Sequence, residues 1–149
     1  MVPRRRNRDE GFTLIELLIV VAIIGIIAAI AIVALGTALE KGRQKATMAD
    51  MRTVATAIEL YRVDNGFLPD STGGLPPLVA VLIPYQTSVV PINDRWNHVM
   101  AYRSDAGGNF SVESYGKDGV DGTNITLATR FNFDEDIVFS NGIFSASPE

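Results

Sequence analysis

The sequence predicts an α+β chain: one long N-terminal helix, apolar in its first half and amphipathic in its second, packed on a small antiparallel sheet. Three observations predict it. Leu17–Leu35 carries no charged residue, a run close to the roughly 20 residues that a helix needs to cross a bilayer core. Beyond Gly36, Met51, Val54, Ala55, Ile58 and Tyr61 or Arg62 recur at i, i+3, i+4, i+7, the spacing of a helix with one buried stripe. Val99–Arg103 and Asn109–Tyr115 flank Asp105-Ala106-Gly107-Gly108, a hairpin signal.

The segment before the apolar run is charged. Residues 1–11 hold Arg4, Arg5, Arg6 and Arg8 against Asp9 and Glu10; taking these from the 13 basic and 17 acidic residues of the chain leaves 9 and 15, a balance of −6. So acidic a remainder lacks the clustered Lys and Arg that phosphate-backbone binding needs, and no nucleic-acid partner is expected. It is better suited to a divalent cation. An ordinary secretory signal places its small-residue cleavage site after the apolar stretch. Here the stretch runs through Ala34-Leu35-Gly36 into the amphipathic pattern. Hydropathy alone is met by an uncleaved signal anchor, arginines in the cytoplasm and C-terminus outside. Glu16 does not suit that reading, because an ionised side chain within an apolar span costs several kcal/mol unless it is paired. A protonated Glu16 near the interface is one solution. A free α-amino group four residues earlier is another, available only if the chain is cut before Phe12.

Gly11-Phe12-Thr13-Leu14-Ile15-Glu16, with the apolar residues up to Ile26, resembles the N-terminal signature of type IV pilins and of the pseudopilins of type II secretion. The resemblance implies a leader of residues 1–11, cleavage between Gly11 and Phe12 by a prepilin peptidase, and N-methylation of Phe12. It implies that Glu16 pairs with the N-terminal amine of a neighbouring subunit during assembly. Residues 12–36 are then the transmembrane and assembly helix, and residues 37–149 the pilin-like head with the C-terminal half of the long helix. Many members carry a proline in the second half of the apolar helix, where this chain has Val33. No helix breaker interrupts Ile30–Val33, and Gly25 and Gly36 are the remaining soft points.

The long helix is expected from about Phe12 to Val63, stopped by Asp64-Asn65-Gly66, since Asn and Gly tolerate the left-handed conformation of a helix end. Met48 and Met51 read as core packing. After a loop containing Gly73-Gly74, Leu75, Leu78 and Leu82 have helical spacing with Pro76-Pro77 in the first turn, which places a short helix near 76–83. Ile137–Ser140 reads as a third strand, extended through Ile143-Phe144. Three short strands on a helix make a stable head. Asp64-Asn65-Gly66-Phe67-Leu68-Pro69, Thr72-Gly73-Gly74-Leu75, Pro91-x-x-Asp94-x-Trp96, Tyr115-Gly116-Lys117-Asp118-Gly119 and Asp134-Glu135-Asp136-Ile137 are similar, in order, to the major-pseudopilin family of type II secretion.

That family holds a calcium ion in the loop around the last strand. The matching residues are Asp118, Asp134 and Asp136, with carbonyls near Tyr115 or Gly116, while Asp121 or Glu135 can replace one of them. Calcium takes six to eight oxygen ligands, so an acidic loop with glycines is chemically apt. A solvated acidic loop is the other reading of this composition. The loop is no EF-hand, because Asp118-x-x-Asp121-Gly122 lacks that spacing and its closing Glu. With no cysteine, disulfides and thiolate sites are excluded, and a metal-closed loop would take over the role of a disulfide. His98 is the only histidine, so no His-based zinc site can form. Asp94 and Trp96 read as a fixed turn, Trp96 as a packing residue, and no enzyme motif is present.

The resemblance implies a structural subunit: a homopolymer anchored once in the bacterial inner membrane, N-terminus cytoplasmic and head in the periplasm. Its partners would be the inner-membrane assembly platform and minor pseudopilins or pilins. A type IV pilus subunit, with an extracellular head, and a non-polymerising, membrane-anchored calcium-binding module are the competing readings.

Overall fold

The computed structural model describes residues 11–70, 74–83, 89–122 and 133–146. The expected leader before Gly11, Thr72-Gly73 and most of the Val120–Asn132 segment lie outside the described residues. The chain divides into two compact units, residues 1–38 and 39–149.

The first helix, α1, runs Leu14–Asn65, two residues displaced at each end from the expected Phe12–Val63. It is continuous through Gly25, Val33 and Gly36. Within the first unit its apolar side chains are exposed, Ile26, Ile30, Ile32 and Val33 among them. Among the described residues α1 is the one helix long and apolar enough to cross a membrane. Within the second unit α1 is amphipathic: Met51, Val54, Ala57 and Ile58 are wholly buried and Ala55 nearly so. Met48 is half-buried against the same core. Its end is closed by the Gly66 N–H on the Arg62 carbonyl at 2.8 Å, which satisfies one of the last helical carbonyls.

The second helix, α2, spans Leu75–Leu82, with prolines in its first turn and Leu75, Leu78 and Leu82 buried. Prolines suit that turn because its N–H groups have no intrahelical acceptor. Four antiparallel strands follow in the order of the chain: β1 Ala101–Ser104, β2 Phe110–Ser114, β3 Ile137–Ser140 and β4 Ile143–Ala146. The register pairs Tyr102 with Val112, Val112 with Phe139, and Phe139 with Phe144. Side chains alternate across a strand, so these four share one face, and the core cluster joins them to the buried stripe of α1 and to α2. Phe144 meets Phe139 edge-on at 4.9 Å and lies under the Arg52 guanidinium of α1 at 5.1 Å.

One strand expectation is corrected. Ile143-Phe144 does not extend β3 but begins a strand of its own, because Asn141 and Gly142 both take positive φ, 48° and 93°. Two such residues make the tight turn that matches the twist of a hairpin. The Asn141 carboxamide Oδ1 accepts the Phe110 N–H at 3.0 Å, holding the turn against β2.

Met51 fills the centre of this packing. Met51→Ala is expected to destabilise the head by about 2–5 kcal/mol, measured as a lower urea midpoint by near-UV circular dichroism on the detergent-solubilised chain. An unchanged midpoint would remove Met51 from the core.

Candidate functional site

Among the described residues, candidate sites lie in each of the two units. In the first, Gly11 and Phe12 are exposed and precede the helix. Thr13 and Glu16 then form a reciprocal cap. The Glu16 Oε2 accepts the Thr13 N–H at 2.9 Å and the Thr13 hydroxyl at 2.7 Å, and the Glu16 N–H donates to the Thr13 Oγ1 at 3.3 Å. This is the capping box of a Thr-x-x-Glu sequence, which satisfies donors that the start of a helix leaves open. The carboxylate of Glu16 is thus held at the first turn, beside the Gly11–Phe12 junction, ahead of the apolar run.

In the second unit the turn 94–98 is organised by Asp94, whose side chain is wholly buried. Its Oδ1 accepts the N–H groups of Trp96 at 3.0 Å and His98 at 2.8 Å, and its Oδ2 accepts the Ser114 hydroxyl at 2.7 Å. The turn is pinned to α1 by the Arg95 N–H on the Thr47 hydroxyl at 3.1 Å, by Arg95 on Asp50 at 2.7 Å, and by the Trp96 indole N–H on Glu40 at 2.7 Å. From the turn, the His98 Nδ1 lies 2.9 Å from the Gly116 carbonyl. A carbonyl only accepts, so this nitrogen carries the proton.

Gly116 opens the acidic loop. Its φ is +62°, and a Cβ there would come within 2.7 Å of the Glu135 carbonyl and 2.8 Å of the Phe133 carbonyl. Only glycine allows so close a backbone approach. The Lys117 N–H then bonds the Phe133 carbonyl at 2.8 Å, and the 115–119 turn is laid against 133–135. Arg103 on β1 and Glu113 on β2 project from the sheet face opposite the core.

Among the described residues, the carboxylates of Glu113, Asp121 and Asp136 come together within 4.8 Å of one another. Of the residues expected from sequence, Asp136 is in this group and so is Asp121, named there as a substitute. Asp118 uses its Oδ1 to accept the Val120 N–H at 3.0 Å. Asp134 is exposed and Glu135 half-buried, and neither belongs to the trio. The Tyr115 carbonyl accepts the Gly119 N–H at 3.2 Å. Each of the Tyr115 and Gly116 carbonyls keeps a second lone pair. Glu113 was not named from sequence; the signal for it is an acid inside a strand pattern, two register steps from Arg103 across the hairpin.

The three carboxylates are unevenly served. Arg103 donates to the Glu113 Oε2 at 2.6 Å and to the Asp121 Oδ2 at 3.2 Å. Asp136 Oδ2 accepts the Gly122 N–H at 2.8 Å. Among the described residues, Asp136 Oδ1 is shut away from solvent with no hydrogen-bond partner, a costly condition for a carboxylate oxygen. Burial raises the pKa of Glu113 against the opposing pull of Arg103, and Asp121 and Asp136 raise it further. Burial likewise raises the pKa of Asp136 against the Gly122 N–H, with Asp121 and Asp118 adding to the rise. Hard oxygen donors, close-set negative charge and one unserved buried oxygen fit calcium chemically.

An exposed apolar helical run that begins just after a Gly–Phe junction and carries one carboxylate, Glu16, joined to a helix-on-sheet head, defines the pilin-like class. Residues 34–129 match the family model described as type II secretion system (T2SS), protein G, and residues 6–38 match the prokaryotic N-terminal methylation motif. The chain belongs to the type II secretion system protein G family. It is similar to proteins named type II secretion system core protein G from several bacteria. It is 33% identical to that of Pseudomonas aeruginosa over 75 residues, covering 50% of this chain and 53% of the relative. It is 28% identical to that of Klebsiella michiganensis over 129 residues (80% and 91%), and 32% identical to that of Xanthomonas campestris over 120 residues (76% and 82%). The matches to the Pseudomonas aeruginosa and Aeromonas hydrophila relatives span about half of their lengths.

The raised pKa values fix a pH dependence. The folded head holds protons on Glu113 and Asp136 more tightly than the unfolded chain does. Their contribution to stability is therefore present below the ordinary carboxylate values, about 4, and is lost as pH rises through the raised folded values. In chelator, the urea midpoint of the wild type is expected to fall over that window, and a Glu113→Gln/Asp136→Asn variant to lose that part of the slope. Identical slopes in both proteins would exclude these two groups as its source.

Proposed function

We propose that this chain is the major subunit of a periplasmic pseudopilus in a type II protein secretion system. It is made as a precursor, cut between Gly11 and Phe12 by a prepilin peptidase and N-methylated on Phe12. Residues 12–36 hold it in the inner membrane with the head in the periplasm. An assembly platform then extracts it, and minor pseudopilins accompany the homopolymer. The observation that carries this reading is the exposed apolar flank of α1, which begins one step after Gly11-Phe12 and holds a single carboxylate, Glu16. So large an apolar surface is stable only when covered by lipid or by other copies. A head-to-tail contact between such helices generates an open filament. The reading assigns no catalytic residue: the buried Asp94 and the His98 ring are committed to holding the turn and the loop.

In this mechanism Glu16 serves twice. In the precursor its carboxylate caps its own helix through Thr13. Cleavage creates a positive amine on Phe12, and pairing of that amine with the Glu16 of a neighbouring copy neutralises two charges that are costly in lipid. The pairing also sets the register of neighbours. Glu16→Val is expected to leave cleavage at Gly11–Phe12 intact, read by mass spectrometry, and to abolish filaments seen by electron microscopy in cells with the secretion machinery. Normal filaments from this variant would sink the role of Glu16, and an uncut wild-type chain would sink the pseudopilin reading.

We further propose that the acidic loop binds calcium through Glu113, Asp121 and Asp136, with Asp118 and Asp134 adding negative charge around the loop. Bound calcium would supply positive charge to the buried carboxylates, Asp136 Oδ1 included, and tie the 115–122 segment to the start of β3. That clip is the substitute for a disulfide in a cysteine-free head. The full chain in detergent is expected to melt higher in calcium chloride than in chelator, by an amount equivalent to about 2.7 kcal/mol at roughly one hundred times Kd. Asp136→Ala should remove the shift. An equal melt in calcium and chelator for the wild type would defeat this reading and leave the filament proposal standing.

A further inference from the structure

Among the described residues, the cation that meets the acidic trio is the Arg103 side chain. Arg103 forks between Glu113 at 2.6 Å and Asp121 at 3.2 Å and leaves Asp136 Oδ1 unserved. The pair is unequal in a way that decides which member can move. The side chain of Glu113 is 7% exposed and fixed on the middle of three hydrogen-bonded strands, whereas that of Arg103 is 57% exposed. Glu113, almost enclosed and anchored on a strand paired on both sides, has far less room to turn away than Arg103. Arg103 can swing into water at the cost of two charge-assisted hydrogen bonds, which an exposed guanidinium replaces with water.

We infer that Arg103 is a displaceable counter-ion, which closes the acidic loop onto the sheet when calcium is scarce and yields its carboxylates when calcium binds. This inference rests on the calcium reading above and adds its regulation. A divalent ion sharing the oxygens of Glu113 and Asp121 meets the repulsion of a guanidinium on the same atoms. Arg103 therefore sets the calcium concentration at which the site fills. Without Arg103 the site would be stronger for calcium and the metal-free loop weaker. With it, the loop stays on the sheet in either state, and the change on binding is confined to the exchange of one cation for another.

The test is calorimetric titration of calcium chloride into the full chain in detergent, for the wild type, Arg103→Gln and Arg103→Lys, with melts in chelator beside each. Arg103→Gln is expected to bind calcium about tenfold more tightly or better and to melt lower in chelator, so that its calcium shift exceeds that of the wild type. Arg103→Lys keeps the charge without the fork and is expected to bind no more tightly than the wild type within a few-fold. Equal affinities for the wild type and Arg103→Gln would overturn the displacement while leaving the calcium site intact. Weaker binding by Arg103→Gln would make Arg103 a structural prop and also overturn it. No binding by either protein would overturn the calcium reading and this inference together. Should Arg103→Gln fail to fold, the wild type with 15N-labelled arginine decides: the Arg103 Nε–H resonance shifts on addition of calcium if the side chain is displaced, and stays in place if it is not.

Discussion

The head is built around the stripe that the second half of α1 presents at Met51, Val54, Ala55 and Ile58. A helix with such a stripe gains most of its stability from what packs on it, and each further element in residues 39–149 extends that packing or ties a loop to it. The sheet lays Tyr102, Val112 and Phe139 against the stripe, α2 adds three leucines, and the 94–98 turn is fastened by Thr47, Asp50 and Glu40. Because the sheet is covered on its core face by α1, its other face is left for the acidic loop. That is why an ionisable residue on β2, Glu113, ends up buried beside Asp121 and Asp136.

The regular elements were legible because their signals are local. The helical spacing of α1 and α2, the prolines at the start of α2, the hairpin at Asp105–Gly108 and the Asp94–Trp96 turn each depend on a few neighbouring residues. The Asn141-Gly142 turn is equally local, yet the apolar residues on both sides of it read as one continuous strand. Thr13-x-x-Glu16 is also a local pattern. Its apolar surroundings drew attention to a partner outside the subunit, and the partner within it is found only when the donors of the first turn are counted.

The acidic site was legible only in part, for a different reason. Asp118, Asp121, Asp134, Glu135 and Asp136 advertise themselves by composition, but which of them converge depends on how the loop folds back on the sheet. Glu113 is invisible to composition because it sits inside a strand, and its membership follows from the register that pairs β2 with both β1 and β3. Arg103 enters the same way. The Arg103–Glu113 pairing lies within a local hairpin, but its meeting with Asp136 depends on the pairing of β2 with β3, a long-range property that no short window along the chain displays.

The fastening of the 94–98 turn has a spectroscopic consequence. Trp96 is the only tryptophan in the chain, half-buried, with its indole N–H committed to a carboxylate of α1 at 2.7 Å. The tryptophan emission therefore reports on one junction, that between the turn and the helix at Glu40. Asp94 ties the same turn to Ser114, and His98 ties it to the Gly116 carbonyl at the start of the acidic loop. The molecule thus carries one tryptophan on the turn that borders its acidic loop, an intrinsic fluorophore that needs no attached dye.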